Sequence, residues 1–261
     1  MSVPIETADT IVIGAGVIGL AIARQLAQAG HEVLVLEAND NFGMETSSRN
    51  SGVIHAGLYY QPGSLKALSC VHGKQLLYDY CVKRQIPHER IGNLVIAASE
   101  DQQDRLRALQ KNALKSGVND LEWLDKTRIC DLEPDLKAGA ALLSPSTGII
   151  DVHELMLAFL GDLEAAGGTL VTHSMVLGGR SKNNAIELNV DNGGEFKLHA
   201  KTVINAAGHG ATEIACGITG FPRQHIPTVY PIRGHYYEHR GKLPFSRLVY
   251  PIPGNKGLGI H

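Results

Sequence analysis

Between residues 11 and 37 the chain reads apolar strand, glycine turn, apolar helix, apolar strand, acid, an order that few folds accommodate. Ile11-Val12-Ile13 has the character of a buried parallel strand, and Gly14-Ala15-Gly16-Val17-Ile18-Gly19 follows it directly. The helix then runs from about Val17 to Ala29 and stops at Gly30, and Val33-Leu34-Val35-Leu36 forms the next strand. Glu37 closes that strand, with Ala38 beside it. Gly14 permits the tight turn, Gly16 admits a pyrophosphate to the backbone, and Gly19 lets helix and sheet approach. The helix N-terminus offers unpaired N–H groups to phosphates, and Glu37 can accept the hydroxyls of an adenosine ribose. A glycine turn alone is weak evidence. The flanking strand and helix, and the acid at this distance, make it a dinucleotide site.

With 261 residues the chain can form one large or two small domains, each with a core. A hydrophobic content of 44% and a charged content of 19% belong to ordinary globular chains. The formal net charge of −2 argues against a nucleic-acid partner or an anionic membrane. Cys70, Cys81, Cys130 and Cys216 show no CxxC and no zinc spacing, which fits reduced thiols in a cytoplasmic protein. No targeting segment is evident, and the apolar run from Ile11 to Ala23 is too short to span a bilayer. No integral membrane segment is expected, while peripheral contact with a membrane surface stays open. The histidines contain no HExxH, so no metal site is expected.

Further along, the stretch from Asn39 to Gly63 lacks periodicity and reads as a long functional loop. A helix from about Ser64 to Arg84 follows, with Leu65, Leu68, Leu76 and Tyr80 near one face. Leu94–Ala97 reads as a strand, and Ser99 with Gln102 as a capping box opening a helix to Lys115. Asp151 and Glu154 repeat that pattern before a helix through Leu163, and Thr169–Thr172 is a strand. Ala185–Val190 and Glu195–His199 form a hairpin about Asp191–Gly194, and Thr202–Asn205 is a separate buried strand. Tyr230–Tyr237 and Arg247–Ile252 read as strands of a β-rich region. The fold class expected is α/β: a Rossmann-like domain interleaved with a mixed-sheet domain. The expected division is residues 1–84 plus 146–222 for the nucleotide and 85–145 plus 223–261 for the substrate.

Two features favour FAD over NAD. Val203-Ile204-Asn205-Ala206-Ala207-Gly208 ends an apolar strand in small residues, letting a second backbone pass close to the dinucleotide. Thr46-Ser47-Ser48-Arg49-Asn50-Ser51-Gly52 supplies donors suited to pyrophosphate, ribityl and flavin atoms. On these residues the chain resembles the FAD-dependent oxidoreductases of the D-amino-acid oxidase-like superfamily. Arg49-Asn50-Ser51-Gly52-Val53-Ile54-His55-Ala56-Gly57-Leu58-Tyr59-Tyr60 is similar to the L-2-hydroxyglutarate dehydrogenase/oxidase branch, as are the segments Tyr230–Tyr237 and Leu248–Pro253. The resemblance implies that Gly14, Ala15, Gly16, Val17, Ile18 and Gly19 hold the pyrophosphate and Glu37 the adenosine ribose. It implies that Thr46 to Gly52 line pyrophosphate and flavin, that the main chain of Val176 pairs with adenine, and that Ala207 and Gly208 close over the cofactor. The pattern breaks off at Gly259-Ile260-His261, where family members continue. A chain ending at His261 is therefore expected to be aggregation-prone and poorly loaded with FAD.

The implied reaction is oxidation of a small 2-hydroxy acid to the 2-oxo acid, with oxygen or a quinone as the final acceptor. Such chemistry needs a base for the hydroxyl proton and donors for carboxylate. His55 is the base candidate; packing on the isoalloxazine edge and covalent attachment are its other open roles. Tyr60 and Arg233 are candidate carboxylate donors, with core packing and a structural ion pair as the respective alternatives. An amino-acid or amine oxidase of the same superfamily and an inactive flavoprotein fragment are the competing functions.

Overall fold

The structure, a computed structural model, describes residues 5–182 and 185–253. The chain begins β1 (Ile5–Ile13), α1 (Val17–Gln28), β2 (Val33–Leu36), β3 (Val53–Ile54), α2 (Leu65–Arg84), β4 (His88–Glu89) and β5 (Asn93–Ala97). It continues α3 (Glu100–Lys115), β6 (Glu122–Asp125), α4 (Lys126–Leu132), β7 (Ala140–Ser144), β8 (Gly148–Ile150) and α5 (Val152–Ala165). After these come β9 (Thr169–Val171), β10 (Met175–Lys182), β11 (Ala185–Asp191), β12 (Glu195–Asn205), α6 (Ala211–Gly217), β13 (Ile218–Thr219) and β14 (Leu248–Pro251). The class is α/β. Two compact units form, residues 1–50 with 152–234 and residues 51–151 with 235–261.

The first unit holds a seven-stranded mixed sheet in the order β13-β10-β11-β12-β1-β2-β9. β1 lies between parallel neighbours, with Ile13 opposite Leu36 on one side and Asn205 on the other. Both faces of such a central strand must be covered, and alternation divides its side chains between them. Ile11 and Ile13 join Leu36, Val176, Leu188 and Leu198 in one buried cluster. Val12 and Val35 point the other way and are fully buried, where α1 packs on β1, β2 and α5. Arg24 of α1 donates to the buried Asp162 of α5 at 2.7 Å.

The second unit holds a four-stranded sheet, β14-β5-β7-β6, and a three-stranded one, β3-β8-β4. Val95, Ala97 and Leu142 pack with Leu106 and Ala113 of α3 and with Ala56 and Leu58. On the other face Leu94 and Ala141 meet Ile129 of α4. The buried Glu133 accepts from the Ser246 hydroxyl at 2.6 Å and from Arg247 at 3.1 Å, tying the entry of β14 to the end of α4.

Several expectations are corrected. The stretch 51–84 belongs with the second unit, because β3 pairs with β8 and Tyr78 of α2 donates to the Ser146 carbonyl at 3.1 Å. The other observed boundaries fall at 151/152 and 234/235 rather than 145/146 and 222/223. α2 buries Ala67, Tyr78 and Cys81, while Leu65, Leu68 and Leu76 are exposed. The run Tyr230–Tyr237 forms no strand; it is exposed, contains Pro231 and Gly234, and meets no partner strand among the described residues. The two strands expected between Glu195 and Asn205 are one, since β12 stays in register with β1 throughout. The capping box expected at Ser99 is not formed: Gln102 Oε1 accepts from Ala98 N at 2.8 Å rather than from Ser99 N, and the Ser99 hydroxyl turns to Asp101. Gly259-Ile260-His261 lies outside the described residues.

Candidate functional site

The site of the first unit starts where β1 ends. Gly14 has φ +99°, a left-handed conformation that favours glycine, and its N–H donates to the Leu36 carbonyl at 2.8 Å. A Cβ there would lie 2.7 Å from the Ala206 carbonyl oxygen and 3.1 Å from Ala207 Cα. The second strand-to-turn junction therefore passes directly against the first, as the small residues Ala206, Ala207 and Gly208 require. A Cβ on Gly19 would run into the Gly14 carbonyl oxygen, so the first turn of α1 sits hard against the loop that precedes it. Gly16 caps α1 without a side chain of its own, and Ser47 supplies what it lacks by accepting the Val17 N–H at 3.0 Å.

Glu37 is buried at the end of β2, 7% exposed, and held on every side. Its Oε2 accepts the Ala15 N–H at 2.7 Å. Its Oε1 accepts both the backbone N–H of Asn39, at 3.0 Å, and the Asn39 side-chain amide, at 2.8 Å. A carboxylate offers about four lone-pair directions. Among the described residues Oε2 therefore retains one of them for a further donor, fewer than the two that a pair of ribose hydroxyls would take. Ala38 is exposed beside it. Val176 is buried and pairs with Val190 on β11, and β13 pairs with β10 at Gly179 and Arg180.

Within the Thr46–Gly52 run, Ser47 reaches the glycine turn. Ser48 donates back to the Glu45 carbonyl at 3.1 Å, and Asn50 to the Ser47 carbonyl at 2.8 Å. Thr46 and Arg49 are exposed, while Ser51 and Gly52 open the second unit. There Gly52 accepts the Ile150 N–H at 2.9 Å. Sequence reasoning missed Asn39, whose offset of two from an acid at a strand end was its available signal. It also missed that Phe42 stacks on His153 at 5.2 Å, which anchors this loop to α5.

His55 and Tyr60 belong to the second unit, and Arg233 to the first. His55 is exposed between the buried Ile54 and Ala56, and its carbonyl accepts from the Cys70 thiol at 3.5 Å. Tyr60 is half-buried with Lys66 Nζ 4.7 Å from its ring centre, and burial pushes its phenol above the usual range. It therefore keeps its proton at neutral pH and can donate. Burial acts on Tyr59 in the same direction. Arg233 is exposed on the irregular 230–237 segment rather than on a strand.

The turn, the helix N-terminus and the buried acid match a dinucleotide, and the comparisons agree. A family model described as FAD dependent oxidoreductase matches residues 9–261. The L-2-hydroxyglutarate dehydrogenase of Arabidopsis thaliana mitochondria is 38% identical over 98% of this chain and 59% of its own length. The L-2-hydroxyglutarate dehydrogenase of Escherichia coli is 31% identical over 97% of this chain and 60% of its own. A solved FAD-bound L-α-glycerophosphate oxidase from Mycoplasma pneumoniae superposes with a TM-score of 0.77, at 28% identity, over 82% of this chain and 57% of that one. The chain belongs to the family of FAD-dependent oxidoreductases. It spans about 60% of the length of the relatives it matches.

Proposed function

We propose that the protein oxidises a small L-2-hydroxy acid, L-2-hydroxyglutarate, to the 2-oxo acid with FAD as cofactor. The match of nearly the whole chain to dehydrogenases of that name, from a plant and a bacterium, carries this reading. The residues described above would hold FAD: the Gly14–Gly19 turn at the pyrophosphate, Glu37 at the adenosine ribose, and Val176, Ala207 and Gly208 around them. The reaction takes a hydride from C2 and a proton from its hydroxyl, leaving a carbonyl, and the hydride acceptor is FAD when bound. His55 takes the proton, since an imidazole can act as a general base and this side chain is exposed next to the Thr46–Gly52 loop in sequence. The neutral phenol of Tyr60 donates to a substrate carboxylate, and Arg233 offers a second, bidentate partner. Four free cysteines support a reducing, cytoplasmic setting. Oxygen or a quinone would reoxidise the enzyme.

Anaerobic mixing tests the substrate class. L-2-Hydroxyglutarate should bleach the flavin absorbance at 450 nm ~10²-fold faster than glycine, L-proline or D-alanine at equal concentration, because a site that hydrogen-bonds a hydroxyl discriminates strongly. Bleaching by amino acids alone would replace this reading with an amino-acid oxidase.

A further inference from the structure

The carboxylate of Glu37 is not held by the glycine turn alone. Asn39 grips Oε1 twice, through its backbone N–H and its side-chain amide, and is itself gripped from behind. The Asn39 carbonyl accepts the His173 N–H at 3.0 Å, and the Glu37 carbonyl accepts the Ser174 N–H at 2.8 Å. The Glu37 N–H donates to the Val171 carbonyl at 2.9 Å, so the β9–β10 connection contacts both ends of the Glu37–Asn39 step. His173 makes this possible in an unusual backbone state, with φ +52°, one of two non-glycine residues in the left-handed region among the described residues. Such strain persists where surrounding bonds over-determine it, and Ser174 next to it is 2% exposed.

We infer that Asn39 and His173 form a clip that fixes Glu37 so that Oε2 meets one hydroxyl of the adenosine ribose. The arrangement rests on the FAD reading of the site and adds two positioning residues to it. With Oε1 saturated by Asn39 and Oε2 bonded to the Ala15 N–H, the carboxylate cannot rotate without breaking three bonds. Its remaining lone pair is then aimed rather than averaged over orientations. Removing the Asn39 side chain takes away one of the two bonds to Oε1 and loosens the carboxylate, and the loss falls on the hydroxyl contact. Phosphate contacts at the glycine turn would be made by backbone, which the substitution leaves in place.

Calorimetric titration of the flavin-free protein with ADP and with 2′-deoxy-ADP and 3′-deoxy-ADP separates these effects. The unsubstituted protein should prefer ADP about tenfold over one of the two deoxy compounds, the gain expected of a hydrogen bond to a charged acceptor. In Asn39→Ala that preference should fall to about twofold or less, with affinity for the disfavoured deoxy compound unchanged. His173→Gly, which suits the left-handed backbone, should retain the preference, and His173→Val, which resists it, should lose most of it. Asn39→Ser, which keeps the backbone donor as Asn39→Ala does and adds a shorter hydroxyl donor, should fall between Asn39→Ala and the parent. Full retention of the preference in Asn39→Ala, or equal weakening of all three nucleotides, would overturn the clip. Failure of the unsubstituted protein to bind ADP at all would overturn the cofactor reading beneath it.

Discussion

Gly19 and Glu37 show how far a single residue can be read before its surroundings are known. The close approach at Gly19 and the acid after β2 follow from the spacing of glycines and apolar runs, and the structure finds a barrier at Gly19 and a buried carboxylate at Glu37. Asn39 was not legible, because its role depends on His173 and Ser174, which come from a connection far along the chain. A local pattern cannot announce a partner that only tertiary folding delivers. Gly19→Ala would push a methyl into the Gly14 carbonyl and should destabilise the protein by about 1–3 kcal/mol, with weaker flavin retention. Thermal unfolding and the retained flavin fraction measure both, and a substitution silent in each would mean that the helix start can shift freely. His55→Ala should slow anaerobic flavin reduction by about 10² if His55 takes the hydroxyl proton. An unchanged rate would leave it a packing residue of the Val53–Tyr60 segment.

Elements that pair with near neighbours in sequence were the legible ones. β2 and the helices from residues 65, 100 and 152 begin within a residue or two of their capping and glycine signals. The failures came where burial was decided elsewhere. α2 is fastened through Ala67, Cys81 and Tyr78, so its exposed leucines mislead any reading by hydrophobicity alone. The aromatic run Tyr230–Tyr237 has strand composition, but propensity without a pairing partner gives no strand. β12 was divided in two because its hairpin half and its β1-paired half have different polarity, although one register serves both. On that hairpin Lys197 and His199 both bond Glu187, and these hydrogen bonds draw its carboxyl down to about 2 from an ordinary 4.5. A depressed folded value means stability that is present above pH 4.5 and lost as the pH falls toward 2. The melting temperatures of the parent and Glu187→Gln should therefore differ near neutrality and converge across that window. A gap independent of pH would show that the ion pairs do not couple to folding.

For the whole molecule, the sequence was enough for the α/β class and for an interleaved two-part chain, because the βαβ start and the later hairpin are separated by a mixed insertion. The boundaries were less legible. Residues 51–84 follow the nucleotide motif without interruption, yet β3 and α2 join the second unit through β8 and Ser146. No helix of the described residues is long and apolar enough to cross a membrane. The proposed function places the flavin on the turn and acid of residues 14–37. The flavin-to-protein ratio of purified parent and Glu37→Lys proteins tests this most directly. An ammonium at position 37 cannot accept a ribose hydroxyl, and it also strips the Ala15 and Asn39 N–H groups of their acceptor. Glu37→Lys should carry less than about a tenth of the flavin that the parent carries, with both proteins folded by circular dichroism. A folded Glu37→Lys protein with its full complement of FAD would contradict the account.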